Sequence, residues 1–316
     1  MFSTRLFSYA ALAGFAVLFL WAPRSVCAQA AAFAIADQTT GTILDSVNAQ
    51  KKLQIGSLTK IASTMVVLDW ASATGTDVSQ LAVIPESARA LATGSGVNFQ
   101  VGDRCSLRDL LYASMMQSDN QAAQALSEHV GRALAAEQNV PASTAFVSQM
   151  NALARRLGML NTRFLNAHGL DTLERTLPYS TASDLVKLTT YAMANSAFRF
   201  YASQQERKIT IHAADGSQTQ YLLRNTNELV GKNAVDGVKT GTTRRAGQCV
   251  IISAARPPES RQEGERFIIT PRRLNVVVLG SQGDRFPVAA GLLDRGWQLH
   301  QDWAAAGRPQ IQPKKR

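Results

Sequence analysis

Beyond Leu20 the 316-residue sequence has no apolar run long enough to cross a bilayer, which takes roughly 20 residues as a helix. No membrane-spanning helix is therefore expected beyond it. Cysteine is scarce, at 3 residues, too few for the disulfide framework of a small secreted scaffold. There is no internal repeat, no arginine-rich helix and no basic stretch interleaved with aromatics, so no nucleic-acid partner is expected. No motif calls for a cofactor or a metal. Charge is sparse too, at 18% of residues, with a surplus of one sign: 33 Lys and Arg against 23 Asp and Glu, a net charge of +10. That surplus favours anionic partners such as lipid surfaces or cell-wall polymers and says nothing about the fold.

What is present begins with a leader. Arg5 precedes an apolar run from Leu6 to Leu20, and the segment ends on the small-residue pattern Val26-Cys27-Ala28. Residues 1–28 are expected to be a signal peptide cleaved after Ala28. The competing reading is a membrane anchor, for which the run is short. Arg24, Ser25 and Val26 do not form the apolar-then-small context that would make Cys27 a lipid site. The expectation is a protein secreted across the inner membrane to the periplasm or cell envelope, with at most peripheral membrane contact. Nearly half of the residues, 46%, are hydrophobic, enough to bury a core; one domain at 29–306 and a basic C-terminal tail at 307–316 are expected. Cys105 lies in the polar approach to a helix and Cys249 in the apolar run to Ile252, so two separate, unbridged thiols are expected.

Ala32 to Ala36 and Thr42 to Leu44, joined by a polar connector ending in Gly41, read as a hairpin. From Ser57 the period changes. Leu58, Ile61, Met65 and Leu68 recur at helical spacing until Gly75. Helical stretches follow at 107–130, 142–157 and 182–194, with hardly any strand-like alternation between them. Strand-like runs return at 208–212, 234–239, 248–254 and 274–279, before a last helical stretch from Pro287 to Ala306. Residues 256–273, rich in proline and charge, read mostly as an exposed excursion between two strands. The chain leaves a sheet, builds helices and returns to the sheet, an α/β (α+β) arrangement.

Three motifs stand in order: Ser57-Leu58-Thr59-Lys60, Ser118-Asp119-Asn120 and Lys239-Thr240-Gly241. The set S-x-x-K, S-D-N and K-T-G marks penicillin-binding proteins and class A β-lactamases. Singly, the first two occur roughly once by chance in a chain of this length, and K-T-G less than about one time in ten. Ser57 and Lys60, three apart on a helix, share a face. A serine hydroxyl is a weak nucleophile until a neighbouring base takes its proton. Lys60 is such a base only when neutral, which requires burial or nearby positive charge, for instance from Lys239. The bland alternative makes Ser57 a helix cap and Lys60 a solvated lysine. Ser118 and Asn120 interrupt a helical stretch and read either as a surface loop or as a proton relay and a substrate-binding amide. Lys239-Thr240-Gly241 closes a β-run, placing it on an edge strand along which an extended peptide can pair. Gly241 would let the substrate approach the backbone; the alternative is a lysine and a turn glycine ending a strand.

On these motifs the sequence resembles the low-molecular-mass penicillin-binding proteins, the D-alanyl-D-alanine carboxypeptidase family. The likeness extends over Phe33 to Trp303 through Asn151, Leu157-Gly158-Met159, Gly169-Leu170, Arg224-Asn225-Thr226-Asn227, Val235-Asp236-Gly237 and Arg285. It implies a penicillin-binding/β-lactamase-like fold, an antiparallel sheet flanked by helices with an inserted helical subdomain, and a cleft between the two parts. It further implies a serine-type DD-peptidase acting on peptidoglycan stem peptides and acylated by β-lactam antibiotics. Ser57 would be the nucleophile, Lys60 the base, Ser118 and Lys239 the proton relay and Asn120 the substrate amide. The backbone N–H groups of Ser57 and Thr242 would hold the oxyanion, with Thr240, Arg224 and Arg285 as candidates for the terminal carboxylate. Departures from the family pattern are Thr242 after the K-T-G and Gln121 after Asn120, which bear on substrate preference. The C-terminal β-sandwich and amphipathic anchor of larger relatives are not found.

Rival readings remain. A D-alanyl-D-alanine endopeptidase uses the same motifs. A class A-like β-lactamase needs a glutamate in a Glu-x-x-Leu-Asn run, and Leu157 stands where the acid should be before Leu160-Asn161. A non-catalytic wall-binding protein would not need Ser57, Lys60 and Lys239 intact.

Overall fold

The structure is a computed structural model and describes residues 29–92, 96–136, 139–171 and 176–309. The expected leader lies outside them, as does the expected tail beyond residue 309. Strands β1 (Ala30–Asp37) and β2 (Ile43–Val47) form the hairpin read in the sequence. Helices α1 (Lys60–Thr74), α2 (Leu107–Met116), α3 (Asn120–Ala135), α4 (Ala142–Arg156), α5 (Ala182–Ala194) and α6 (Ser196–Ser203) follow, with short strands β3 (Leu81–Val83) and β4 (Arg104–Ser106) among them. The chain then runs through β5 (Glu206–His212), β6 (Gln218–Arg224), β7 (Val235–Thr243), β8 (Gly247–Glu263) and β9 (Arg266–Ser281) into α7 (Arg285–Ala305).

Both ends of the chain build one five-stranded antiparallel sheet in the order β2-β1-β9-β8-β7. Strand β1 and the inner parts of β8 and β9 read as largely apolar runs because both of their faces are covered. Along β1, Ala32, Ala34 and Ala36 face the core shared with α1 to α5, while Phe33 and Ile35 face the layer under α7. Strands β8 and β9 divide the same way, with Cys249, Ile251, Val277 and Leu279 on the first side. Val250, Ile252, Val276 and Val278 lie on the second, against Leu292, Leu293 and Trp297 of α7. Each fully buried side chain of this size contributes about 1.5–3 kcal/mol. The fold is the expected one: antiparallel sheet, flanking helices and an inserted helical block.

Four details differ from the sequence reading. The first turn of the expected Ser57 helix, Gly56–Thr59, is 3-10, and the α-helix starts at Lys60 and stops at Gly75 with φ of +67°. The middle of the chain is not wholly helical, because β3 and β4 join β5 and β6 in a second, four-stranded sheet. Strands of 3 residues are too short for alternation to show. Cys105 lies on β4 and is fully buried rather than in a polar approach, although it and Cys249 are free thiols as expected. Residues 256–273 are not a loop: β8 and β9 continue as a paired ribbon to Glu263 and Arg266. Pro257 and Pro258 are absorbed by a bulge between Arg256 and Glu259, where a missing N–H costs no ladder hydrogen bond.

Candidate active site

Ser57 sits in the 3-10 turn that leads into α1, 8% exposed, and Lys60 opens the helix with no exposure at all. The Lys60 Nζ lies 3.0 Å from Ser57 Oγ, 2.7 Å from Asn120 Oδ1 and 2.7 Å from the His168 carbonyl oxygen. Burial pushes the amine down to about 7, against the opposing pull of the Asp119 carboxylate. A neutral amine has two N–H donors and one lone pair. Asn120 Oδ1 and the His168 carbonyl can only accept, so they take both donors, and the lone pair faces the Ser57 hydroxyl. That geometry would let Lys60 act as a general base toward the Ser57 hydroxyl.

Ser118 and Asn120 lie at the junction of α2 and α3. Asp119 between them caps α3 with Oδ1 on Ala122 N at 2.8 Å and holds the preceding loop with Oδ2 on Val97 N at 2.9 Å. Ser118 has φ of +61° and is half-buried. It hydrogen-bonds to neither lysine among the described residues. Asn120 is buried, with its carbonyl oxygen fixed by Lys60.

Lys239, Thr240, Gly241 and Thr242 lie along β7, the edge strand of the sheet. Lys239 is 1% exposed, its Nζ donating to Thr240 O at 3.0 Å. Burial, then the charges of Lys60 and Arg285, hold its pKa well below the usual lysine value. Lys60 is thus lowered by its own burial and needs no positive charge from Lys239. The Thr240 hydroxyl pairs with Thr226 Oγ1 at 2.7 Å, and Thr226 also donates to Met116 O at 3.1 Å. Arg285 Nη1 donates to Gly241 O at 3.0 Å and to Thr242 Oγ1 at 2.6 Å, which places the guanidinium beside the exposed Thr242.

Gly241 has a different reason from the one expected. A methyl there would lie 2.6 Å from Ile55 O and 3.2 Å from Ser57 N. The missing side chain lets β7 close on the serine turn, not only a substrate on β7. In the reverse direction a methyl at Gly56 would lie 3.3 Å from Thr242 N, so the Ser57 and Thr242 segments stand side by side. Arg224, expected as a candidate carboxylate ligand, lies on β6. Its side chain is 76% exposed and engaged with Glu206, Nε to Oε1 at 3.2 Å, across the β5–β6 pair. Among the described residues no group of His, Cys, Asp and Glu could hold a metal ion.

The family profile described as D-alanyl-D-alanine carboxypeptidase matches residues 22–261, which carry the serine turn, the α2–α3 junction and β7 together. The chain belongs to that family of D-alanyl-D-alanine carboxypeptidases. It is 32% identical to the D-alanyl-D-alanine carboxypeptidase DacC of Escherichia coli (strain K12) over 86% of its length, and spans 64% of that relative. It is 31% identical to a D-alanyl-D-alanine endopeptidase of Pseudomonas aeruginosa over 83% of its length, spanning 75% of that protein. In structure it resembles the Streptomyces K15 DD-transpeptidase, with a TM-score of 0.72 and 26% identity over 85% of this chain and 97% of the other.

The carboxypeptidase fold brings in residues that the sequence did not single out. His168 contributes a backbone carbonyl, while its side chain is buried, with burial and the neighbouring Lys60 pushing its pKa down to about 3. A backbone contribution leaves no side-chain signature. Asn166 shapes this loop, its Oδ1 accepting from Gly169 N at 2.6 Å. Thr226 was visible only as part of the Arg224-to-Asn227 likeness. Gly169, at φ of +82°, packs so closely on Gly56 that an added methyl would collide with its carbonyl oxygen. Gly169→Ala should therefore lower the melting temperature, by an overpacking cost of about 1–3 kcal/mol or more, and slow acylation by shifting the His168 carbonyl. An unchanged thermal midpoint would show that the loop does not clamp the serine turn.

Proposed function

We propose that the protein is a serine-type D-alanyl-D-alanine carboxypeptidase that trims peptidoglycan stem peptides and is acylated by β-lactams. The observation that carries this reading is the buried Lys60 amine, bound to two carbonyl acceptors with its lone pair toward Ser57. Ser57 Oγ attacks the carbonyl of the penultimate D-alanine while its proton passes to Lys60 Nζ. The tetrahedral oxyanion is held by the backbone N–H groups of Ser57 and Thr242, a type of contact worth roughly 10²–10³-fold in rate. Collapse breaks the peptide bond, and the leaving amine takes a proton relayed through Ser118 between Lys60 and Lys239. Water then attacks the Ser57 ester, releasing the shortened peptide and restoring the hydroxyl.

The substrate peptide would lie antiparallel along β7, with the Asn120 amide on its backbone. The terminal carboxylate would meet Thr240 and Thr242 on β7 and Arg285 at the head of α7, whose guanidinium donates to Thr242 Oγ1. Arg224, exposed on β6 and paired with Glu206, remains a further candidate for that carboxylate. The Listeria monocytogenes penicillin-binding protein D2, solved in its ampicillin-bound form, has a TM-score of 0.64 to this chain at 26% identity over 85% of this chain and 97% of that one. This likeness supports β-lactams as covalent inhibitors here. We place the enzyme in the periplasm or cell envelope, exported by residues 1–28. Among the described residues no helix is long and apolar enough to cross a membrane.

The reading is tested by offering a pentapeptide ending in D-Ala-D-Ala and a cross-linked dimer at equal concentration. Free D-alanine is expected to appear faster than monomer, and Arg285→Ala should raise KM for the pentapeptide. Faster monomer release with Arg285→Ala unchanged would make the protein an endopeptidase, as its Pseudomonas relative is named.

A further inference from the structure

Beyond residue 273 toward its start, β9 leaves the sheet. Its last partner on the β1 side is Asp37, opposite Leu274, with Gln38 N donating to Arg273 O at 2.9 Å. From there to the turn, β8 and β9 form a two-stranded ribbon that, among the described residues, is paired only with each other. The base of the ribbon is fastened. Glu259 pairs with Arg272 at 3.4 Å and with Arg308 at 2.6 Å, Arg273 with Asp236 at 2.5 Å, and Arg256 lies over the Trp297 ring at 4.5 Å. The distal part instead carries Phe267, Ile268 and Ile269, exposed by 67%, 39% and 65%. Such an edge is a template for another strand.

The two edges of the ribbon are not alike. The β8 edge has Pro257 and Pro258, which cannot donate, and is otherwise polar from Glu259 to Glu263. The β9 edge carries the apolar triplet, and its backbone direction is fixed by the body of the sheet. Because Arg273 O points outward to Gln38, every second residue on β9 does so: the N–H and C=O groups of Ile269 and Phe267 face the open edge, while Ile268 faces β8. An antiparallel partner on that edge must therefore match odd residues with odd residues. One register about a two-fold axis satisfies this and buries the triplet against itself. It is centred on Ile268, with Phe267 opposite the partner's Ile269 and Ile269 opposite the partner's Phe267. Both flanking pairs are hydrogen-bonded, and each joins an aromatic to a β-branched side chain, a favourable cross-strand pair. A self-complementary patch is what a two-fold interface requires.

We propose that the open edge of β9 at residues 266–270 is a self-association surface that pairs with the same edge of a second copy of this chain. The pairing joins the two β8–β9 ribbons into a four-stranded sheet and leaves both catalytic clefts free. A ribbon contact is small beside a standard interface of about 1,600 Å², so the dimer is concentration-dependent.

Register-specific cross-linking tests this. In a Cys27→Ser background, Ile268→Cys places two thiols at a non-hydrogen-bonded pair across the axis, where Cα atoms are about 4.5 Å apart and a disulfide fits. Under mild oxidation this variant should form a covalent dimer that still labels fully with penicillin. Phe267→Cys and Ile269→Cys should cross-link far more slowly. Phe267→Glu should abolish the dimer in sedimentation velocity at high protein concentration with labelling unchanged. Equal cross-linking at all of these positions, or a monomer at every concentration, overturns the proposal. Binding of the monomer to anionic phospholipid vesicles, lost in Phe267→Glu, would make the occupant a lipid surface and overturn it as well.

Discussion

Replacing Ser57 by alanine is expected to abolish covalent labelling by a fluorescent penicillin while leaving the thermal midpoint nearly unchanged. The hydroxyl is the nucleophile of the proposed reaction and faces the Lys60 amine at 3.0 Å. Its loss removes the nucleophile and should lower acylation by about 10⁴-fold or more, as removing the serine of a comparable catalytic unit does. The cost to folding is small. Lys60 keeps its carbonyl partners at Asn120 and His168, and one lost hydrogen bond of this kind is worth about 0.5–1.5 kcal/mol. Stoichiometric labelling of the folded variant would remove Ser57 from the mechanism, and a wall-binding role without chemistry would show as no labelling of the unaltered protein.

The acylation rate should rise with pH through about 7 and then level off, because burial holds the Lys60 amine at about 7. The sign follows from the role. Below that value Lys60 is an ammonium ion without a lone pair and cannot take the Ser57 proton; above it the neutral amine can. Lys60→Arg keeps a positive charge at every accessible pH, so it should lose the rising limb and lower the rate by the 10²–10⁴-fold, roughly, that a positioned base supplies. Stopped-flow acylation across pH 5 to about 9, the range around the neutral point, reads both. Near-normal acylation in Lys60→Arg would transfer the base role to Lys239, whose pKa burial also depresses, acting through Ser118.

The sequence made the candidate catalytic cluster legible where spacing on one element carries the information. Ser57 and Lys60 meet because they are three residues apart at the head of α1, and Lys239 to Gly241 lie on an edge strand because β7 ends the sheet. Partners supplied by the backbone were invisible, the His168 carbonyl above all. Gly241 could be recognised as necessary but not explained, because the atom that forbids a side chain is Ile55 O, distant in sequence. The ion pair of Arg224 with Glu206 on the adjacent strand was equally invisible, because a motif gives only a residue's neighbours along the chain. Residues 256–273 read as loop because proline and charge dominate the composition, while the pairing of Ser260 with Ile269 and Gln262 with Phe267 is a property of two segments together.

Strand β9 lies at the centre of the five-stranded sheet although it is the last of those strands in the chain. Among the described residues it is the one strand that pairs with both the β1–β2 hairpin, which leads into Ser57, and β8, which pairs with the β7 that carries Lys239. Contacts of such long sequence separation, Ala30 with Ser281 among them, are closed late and slowly. A nascent or truncated chain ending before β9 therefore lacks the sheet pairing that holds the strand of Lys239 and Thr242 in line with the hairpin leading to the serine, however well its helices have formed. Reactivity toward penicillin becomes a readout of completed folding: its recovery after dilution from denaturant should lag the return of helical circular dichroism and coincide with insertion of β9.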